Sequence, residues 1–206
     1  MASTFFFRDL HTIDLAVKHL LPSIAGRSKV KIWDAGCAIG PEPYTLAMVL
    51  AEKMNPFAFR NVTIDATDID EQDQYGKIVT NGYYPEEELK RIPPDMFEKY
   101  FEKADSNGNC RIVELIRSRV RFTKHNLLEL KSMGEEYSMI LCKNVLLHFQ
   151  QAERVEVIKM FHHSLSTGGF FATEQTQKLP EELAALFEQV AVDAQLYKKV
   201  SRPKDF

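Results

Sequence analysis

The sequence predicts an α/β fold in which a doubly wound, mostly parallel sheet is covered by helices. Three observations lead to this prediction. Segments with strand patterns alternate along the chain with segments of helical periodicity. An apolar strand beginning at Val30 runs into a loop bracketed by Gly36 and Gly40, and a helical segment follows directly. The second strand ends at Asp68, where nucleotide-binding α/β folds commonly carry an acidic residue.

The first part of the chain alternates regularly. Apolar residues recur at helical spacing from Leu10 to Leu21, and Pro43 lies in the first turn of the next helix, where its missing N–H needs no partner. The elements predicted here are a helix at about 9–25, a strand at 30–35, a helix at 43–54, a strand at 62–67 and a helix at 71–80.

The segment from about 81 to 125 breaks this alternation. An Asn107-Gly108 step beside alternating apolar residues is typical of a β-hairpin. We therefore predict a small antiparallel β-subdomain inserted at about 105–125, with strands near 110–116 and 120–123. The elements predicted beyond it are a strand at 137–142, a helix at 151–165, a strand at 170–174, a helix at 180–188 and a strand at 190–200. The whole chain, 1–206, is expected to be a single domain.

Composition and charge argue against several classes of protein. The formal net charge of −3 gives no reason to expect a nucleic-acid partner. No apolar run approaches the roughly 20 residues that span a bilayer, and the N-terminus lacks the pattern of a secretory signal, so membrane insertion is not expected. The three cysteines are expected to be free thiols in a reducing cytoplasm. Neither they nor the six histidines have metal-ligand spacing, and no metal is predicted.

The loop from Gly36 to Gly40 is the most informative segment. Its G-x-x-x-G spacing differs from the dinucleotide and P-loop fingerprints, and is the looser form common in S-adenosylmethionine-dependent methyltransferases. The alternative is an ordinary βα turn. The carboxylate of Asp68 suits the two hydroxyls of a ribose. Alternatively Asp68 is a turn former or helix N-cap, a role for which Asp70 is the better candidate.

Three other polar residues have two interpretations each. Glu42 either complements the dipole of the helix it begins or pairs with the ammonium or ribose end of an amino-acid nucleoside. Asn144 follows the strand at 137–142 and is either a turn residue or part of the ligand site. Arg8 follows three phenylalanines that are expected to pack on the protein, and its residue type alone favours a salt bridge with Asp9.

The sequence contains no obvious nucleophile or general base. A G-x-S-x-G elbow is absent. This pattern is consistent with methyl transfer from a sulfonium to a carboxylate, because a glutamate with a pKa of about 4.3 is already ionised at neutral pH. Catalysis then depends on the alignment and desolvation of two bound partners.

Five motifs occur in the order found in one known family. They are Thr4-x-Phe-Phe-Arg8-Asp9, Gly40-Pro-Glu-Pro-Tyr-Thr45, Ala66-Thr-Asp-Ile-Asp70, Asn126-Leu-Leu128 and Cys142-Lys-Asn-Val145. Together they resemble the chemotaxis receptor methyltransferases, the CheR-type protein-glutamate O-methyltransferases, from residue 3 to about 200. The resemblance implies a Rossmann-like class I S-adenosylmethionine-dependent methyltransferase fold with a small antiparallel β-subdomain. It covers the catalytic domain without the helical domain that precedes it in the family.

The resemblance also implies roles for individual residues. Those expected to bind S-adenosylmethionine, or its product S-adenosylhomocysteine, are Thr4, Arg8, Gly36, Glu42, Asp68, Asn126, Leu127, Asn144 and Val145. Arg8 is also expected to act in catalysis by orienting the incoming carboxylate. His148 stands where the family has a tyrosine facing the transferred methyl group, and is the second expected catalytic residue.

The implied function is methylation of glutamates on a protein acceptor such as the cytoplasmic region of a chemoreceptor. By analogy, the β-subdomain is expected to dock a peptide by strand addition. Besides His148, the chain departs from the family at Ala2 and Pro41, which replace an asparagine and an acid. Two alternatives stay open: a non-catalytic module that binds S-adenosylmethionine or S-adenosylhomocysteine, and a methyltransferase with a small-molecule acceptor.

Overall fold

The computed structural model describes residues 4–200, so Ala2 lies outside the described residues. The helices are α1 (Leu10–Ile24), α2 (Pro41–Lys53), α3 (Pro56–Phe59), α4 (Tyr75–Asn81), α5 (Pro94–Tyr100), α6 (Glu114–Arg117) and α7 (Gln151–Ser164). The strands are β1 (Val30–Ala35), β2 (Val62–Asp68), β3 (Tyr83–Pro85), β4 (Asn109–Arg111), β5 (Val120–Lys124), β6 (Tyr137–Leu141), β7 (Leu165–Ala172), β8 (Phe187–Gln189) and β9 (Leu196–Lys199). Short 3-10 turns occupy Glu86–Leu89, Leu127–Glu129, Leu146–His148 and Glu181–Leu186.

Seven strands form one sheet in the order β5-β2-β1-β6-β7-β9-β8. β1 pairs in parallel with β2 on one side and with β6 on the other, whereas β9 runs antiparallel to β7 and β8. The chain leaves β1 toward β2 and later returns to β6 on the opposite side. Such a reversal opens a crevice at the carboxyl ends of the strands. The predicted Rossmann-like α/β fold is confirmed.

Alternate residues of β1 face the two helical layers. Ile32 belongs to a buried cluster with residues of α1 and α2, whereas Trp33 belongs to a cluster with residues of α7. Trp33 Nε1 donates to Thr67 Oγ1 at 2.9 Å and so ties β1 to β2. Because side chains alternate along a strand, Asp34 faces the same side as Ile32, toward α1 and α2.

A small antiparallel sheet is present, but its strands differ from the prediction. β3 pairs with β4, with Tyr83 opposite Arg111. The segment 120–123, predicted as the second strand of the insertion, lies instead in β5 and runs parallel to β2 in the main sheet. The predicted range of 105–125 is therefore wrong for its second half. The cause is that local alternation identifies a strand without specifying its partner.

The Asn107-Gly108 step does form a turn, because Gly108 N donates to Asp105 O at 3.0 Å. An antiparallel bridge between Phe101 and Ile112 shows that this hairpin joins β4 to the segment before it. The strand predicted to reach residue 116 ends early, since α6 begins at Glu114.

The C-terminal region also differs from the prediction. The segment predicted as a helix at 180–188 is a 3-10 turn followed by β8, and the single strand predicted at 190–200 is represented by β9 alone. Phe187 is buried, and its ring centroid lies 6.0 Å from that of Phe171 and 6.4 Å from that of Tyr197. Packing against these rings overrides the local helical propensity. Within residues 4–200, no helix is long and apolar enough to cross a bilayer.

Candidate functional site

The carboxyl ends of β1, β2 and β6 bring most of the expected site residues to one crevice. Gly36 follows β1, Asp68 ends β2, and Asn144 follows β6. Glu42 lies in the first turn of α2, which begins directly after the glycine loop. Residues more than a hundred positions apart in the sequence therefore lie at the same edge of the sheet.

Gly36 packs directly against another expected site residue. Its φ of +94° lies in the left-handed region that favours glycine, and its N–H donates to Thr67 O at 2.7 Å. A Cβ atom at this position would lie 2.1 Å from Val145 Cγ2. The loop after β1 and the loop after β6 thus meet without room for a side chain.

The Asp68 carboxylate is oriented by backbone donors. Its Oδ2 accepts from Ala38 N at 2.9 Å, and its Oδ1 accepts from Asp70 N at 3.1 Å. The side chain is half-buried, and each carboxylate oxygen has a further lone pair. Asp68 is therefore fixed in place and still able to accept from a diol. Asp70 instead accepts from three backbone N–H groups at the start of α4.

The N-terminal segment reaches the crevice through two hydrogen bonds. Phe7 N donates to Thr45 Oγ1 at 3.0 Å, which holds the segment on α2. Arg8 Nη2 donates to Asn144 Oδ1 at 3.1 Å, so the guanidinium lies beside the end of β6. Arg8 also forms the ion pair with Asp9, with Nε and Oδ2 3.8 Å apart. Both interpretations of Arg8 from the sequence are therefore compatible with its geometry.

The phenylalanines before Arg8 pack as expected. Phe6 is buried, and its ring contacts Tyr84 edge-on with the centroids 4.9 Å apart. The guanidinium of Arg91 lies over the ring of Phe5 at 4.3 Å. Thr4, at the start of the described residues, is half-buried.

Asn144 adopts φ +61°, a conformation that asparagine tolerates better than most residues. Its N–H donates to Glu174 Oε2 at 2.9 Å, and Thr173 Oγ1 donates to the same oxygen at 2.7 Å. Glu174 thus supports the turn that presents the Asn144 amide to Arg8. Sequence reasoning missed Glu174, although an acid directly after an apolar strand was an available signal.

A buried lysine in the site was also missed. The side chain of Lys143 is 0% exposed, and its Nζ lies 3.0 Å from Glu42 Oε2 and 3.6 Å from Asp9 Oδ2. Burial raises the pKa of the Glu42 carboxyl, and the Lys143 ammonium opposes that rise. Glu42 therefore holds a buried cation in addition to lying in the first turn of α2.

Asn126 and Leu127 lie on the β2 side of the crevice. They follow β5, whose end is tied to the end of β2 by a hydrogen bond from His125 N to Asp68 O at 2.8 Å. Asn126 Oδ1 accepts from Leu128 N at 3.0 Å and begins a 3-10 turn, and Leu127 is buried.

His148 lies four residues after Asn144, on the 3-10 turn Leu146–His148. Its N–H donates to Val145 O at 3.0 Å, and its imidazole is exposed. The side chain is therefore presented to solvent in the loop that follows β6.

The sequence of the chain identifies its family. A sequence model described as CheR methyltransferase, SAM binding domain, matches residues 2–196. The chain belongs to this family. Its sheet order and its membership together confirm the predicted class I methyltransferase fold.

Curated relatives agree with the assignment to the CheR family. Chemotaxis protein methyltransferase 1 of Pseudomonas aeruginosa is 30% identical over 191 residues, which cover 86% of this chain and 68% of the relative. The chemotaxis protein methyltransferase of Borreliella burgdorferi is 30% identical over 176 residues, which cover 81% of this chain and 61% of the relative. The chain thus spans about two thirds of the length of these relatives.

Among solved structures, the magnesium protoporphyrin IX methyltransferase of Synechocystis PCC 6803 is similar, with a TM-score of 0.46 and 16% identity. The match covers 92% of this chain and 76% of that structure.

Proposed function

We propose that this chain is an S-adenosylmethionine-dependent protein-glutamate O-methyltransferase that acts in the cytoplasm on a chemoreceptor-type protein. The observation that carries the proposal is the 3.1 Å hydrogen bond from Arg8 to Asn144, which joins the N-terminal motif to the motif after β6. Membership of the CheR family and the names of the relatives support this class of reaction.

The chemistry of the crevice fits S-adenosylmethionine. Asp34, at the end of β1, is completely buried, and neither of its oxygens has a hydrogen-bond partner among the described residues. The crevice thus contains acceptors for a ligand that carries donors. Asp68 would hold the ribose hydroxyls, and Asn126 and Leu127 would border the adenine.

The other end of the crevice suits the amino-acid part of the cofactor. Asn144 and Val145 would border this part, while Thr4 and Arg8 would lie against it from the N-terminal segment. Glu42 would act from the first turn of α2, through its contact with Lys143. Gly36 would let the backbone of its loop approach the ligand.

When bound, S-adenosylmethionine supplies a methyl group on a sulfonium. The acceptor glutamate is ionised at neutral pH, so no residue of this chain needs to remove a proton. The planar guanidinium of Arg8 orients the carboxylate for in-line attack. His148, in the exposed loop after β6, contacts the acceptor from the open side of the crevice.

The acceptor protein is proposed to dock on the small sheet by strand addition. In the described part of the chain, Phe101 covers the side of β4 away from β3, which leaves β3 as the outer strand. Tyr83 on β3 is 44% exposed, and the guanidinium of Arg111 lies over its ring at 5.0 Å. An extended peptide beside β3 would meet an aromatic surface and a cation. The Tyr83→Ala variant should bind the acceptor more weakly, as measured by surface plasmon resonance. Unchanged binding would contradict docking at this edge.

Transfer of radiolabelled methyl groups tests the proposed reaction. The chain is incubated with methyl-labelled S-adenosylmethionine and cytoplasmic fragments of chemoreceptors from the same organism. Label should enter the fragment and be released as methanol by mild base, because carboxyl methyl esters are base-labile. Base-stable label in protein or label in a small molecule would contradict a glutamate acceptor. Binding of S-adenosylhomocysteine without any transfer would favour the regulatory module.

A further inference from the structure

A cavity on the α7 side of the sheet has no role in the proposed cofactor site. It has a volume of about 200 Å³ and lies between α7, the end of β7 and the segment 177–180. Pockets that hold a whole small molecule usually have about 300–1,000 Å³. The cavity therefore has room for one side chain or a group of similar size.

One face of α7 forms a wall of the cavity. Gln151, Arg154 and Ile158 line it at positions i, i+3 and i+7, so they lie on the same side of the helix. Ile158 is buried, as are Leu146 and Phe171, which also line the cavity. The cavity thus combines an apolar part with polar groups nearer the start of α7.

The cations of the cavity are not neutralised by the fold. Arg154 is half-buried, and its Nε and Nη1 donate to the neutral acceptors Phe149 O at 3.0 Å and Gln177 Oε1 at 3.2 Å. Neither Arg154 nor the exposed Lys178 forms an ion pair with a carboxylate of residues 4–200. None of the residues that line the cavity is acidic. A guanidinium fixed by neutral groups, with further N–H donors, suits a carboxylate.

The cavity adjoins the end of the crevice where methyl transfer is proposed. Leu146 belongs to the same 3-10 turn as His148. Thr173, which lines the cavity, donates to Glu174 Oε2 at 2.7 Å, and this oxygen also accepts from Asn144 N at 2.9 Å. The cavity and the acceptor end of the crevice are therefore built on the same two segments, those that follow β6 and β7.

We propose that this cavity is a specificity subsite, which binds an acidic side chain of the acceptor protein close to the glutamate that is methylated. This inference rests on the proposed function and deepens it. Neighbouring side chains on one face of a helix or strand are about 5–7 Å apart. Such a spacing suits two sites that share the turn Leu146–His148.

The chemistry of the cavity favours a glutamate side chain over an inorganic anion. The aliphatic stem of the glutamate packs against Leu146 and Phe171, and its carboxylate accepts hydrogen bonds from Arg154. Lys178 adds a positive charge at the exposed side. A phosphate or sulfate ion has no apolar part and leaves this surface uncovered.

A binding experiment tests the cavity apart from the reaction. Acetyl-glutamate amide, in which only the side-chain carboxylate is charged, and its neutral counterpart acetyl-glutamine amide are titrated into the wild-type chain and followed by NMR. The Nε–H of Arg154 and the methyl groups of Ile158 should shift saturably, with at least about tenfold tighter binding of the glutamate compound. These shifts should be lost in Arg154→Gln. The control is Arg119→Gln, which removes a half-buried arginine that donates to Arg60 O at the amino end of β5, and it should behave as wild type.

Kinetics with the acceptor test what the cavity binds. Acidic residues near the methylated glutamate of a chemoreceptor fragment are replaced by glutamine one at a time. For the residue that enters the cavity, this replacement should raise the KM of the wild-type enzyme at least about tenfold with little change in kcat. Arg154→Gln should raise KM for the unchanged fragment by a similar factor and show no further increase with the replaced fragment. Its calorimetric affinity for S-adenosylhomocysteine should equal that of the wild type.

Each outcome supports or overturns the proposal. Equal binding of the two blocked amino acids, or no shift at Arg154, would show that the cavity does not bind a carboxylate. Binding of the glutamate compound without any coupling between Arg154 and an acidic residue of the acceptor would restrict the cavity to free carboxylates and overturn the proposal.

Two further results separate this inference from the proposed function. If no protein fragment is methylated, the proposed function fails and the acceptor subsite fails with it, while the NMR titration still shows whether the cavity binds a carboxylate. If circular dichroism shows that Arg154→Gln does not fold, Lys178→Gln replaces it, because Lys178 is exposed. A smaller rise in KM that depends on the same acidic residue of the acceptor is then expected, and no dependence would contradict the proposal.

Discussion

Replacing Lys143 by methionine removes a buried cation that contacts Glu42 and Asp9 and also acts on Asp34. We expect Lys143→Met to lower the free energy of unfolding by about 3–5 kcal/mol at slightly alkaline pH, the range for breaking a buried ion pair on one side. The side chain of Lys143 is 0% exposed, so water does not replace the lost ammonium without rearrangement of the fold.

The magnitude follows from the distances. Two charges 3.0 Å apart, as for Lys143 Nζ and Glu42 Oε2, attract by about 5 kcal/mol at an effective dielectric constant of about 20. The contact with Asp9 adds much less, because the Asp9 side chain is 45% exposed and solvent screens it. Burying the ammonium of Lys143 costs free energy, and the methionine variant does not carry this cost. The net loss in the free energy of unfolding is therefore about 3–5 kcal/mol.

The loss should depend on pH in one direction. Lys143 lowers the pKa of both Glu42 and Asp34, so the variant raises both further in the folded state. A carboxyl group whose pKa is higher in the folded state than in the unfolded state stabilises the folded protein at low pH. This contribution to the free energy of unfolding is lost as the pH rises through the folded-state pKa. The destabilisation should therefore be smaller at about pH 5 than at about pH 8, by about 1 kcal/mol or more.

Urea denaturation followed by circular dichroism at both pH values measures these differences. The control is Lys53→Met, which removes an exposed lysine 3.4 Å from Asp14 and should cost less than about 1 kcal/mol. A cost below about 1 kcal/mol for Lys143→Met, or an equal cost at the two pH values, would refute the reasoning.

Three further predictions concern the crevice. Asp68→Ala should weaken binding of S-adenosylhomocysteine by about 1–3 kcal/mol in calorimetry, because ribose hydroxyls lose their acceptor; unchanged affinity would remove Asp68 from the site. Arg8→Ala should reduce methyl transfer more than it reduces calorimetric affinity for S-adenosylhomocysteine, and equal losses would make Arg8 a cofactor ligand only. Gly36→Ala should lower the free energy of unfolding by about 1–3 kcal/mol in urea denaturation, because the new Cβ meets Val145 Cγ2 at 2.1 Å. Adding Val145→Ala should restore part of that loss, and no recovery would contradict the packing argument.

The sequence predicted those features of the site that short motifs encode. The glycine loop and the acid that ends β2 are local patterns, and parallel strands bring their carboxyl ends to one edge. The contact between Arg8 and Asn144 joins residues 136 positions apart in the sequence. The order of the motifs along the chain does not show that these two side chains lie within hydrogen-bond distance in the fold. The interpretation of Arg8 as only a partner of Asp9 followed from the same lack of long-range information.

The charged cluster was missed for a physical reason. Lys143 and Asp34 each stand beside apolar strand residues, where a charge is usually interpreted as a strand-end group that reaches solvent. Their burial depends on α1 and α2 covering the same side of the sheet, which no local pattern encodes. The sequence did contain one indication of this cluster. Asp34, two residues before Gly36, is an acid that interrupts an otherwise apolar strand end.

The fold prediction was wrong where the pairing of strands is not local. β5 alternates like a hairpin strand, yet it pairs with β2, more than fifty residues earlier in the chain. By contrast, the helix predicted at 151–165 is confirmed as α7, Gln151–Ser164. This prediction was accurate because helical periodicity is a local pattern that depends on the residues of the helix alone.

Calorimetric titration of the purified chain with S-adenosylhomocysteine tests the central claim most directly. The account predicts saturable binding at one site per chain with micromolar affinity, strongly reduced in Asp68→Ala. The absence of binding to a chain whose circular dichroism shows it to be folded would contradict the assignment of the crevice as a cofactor site.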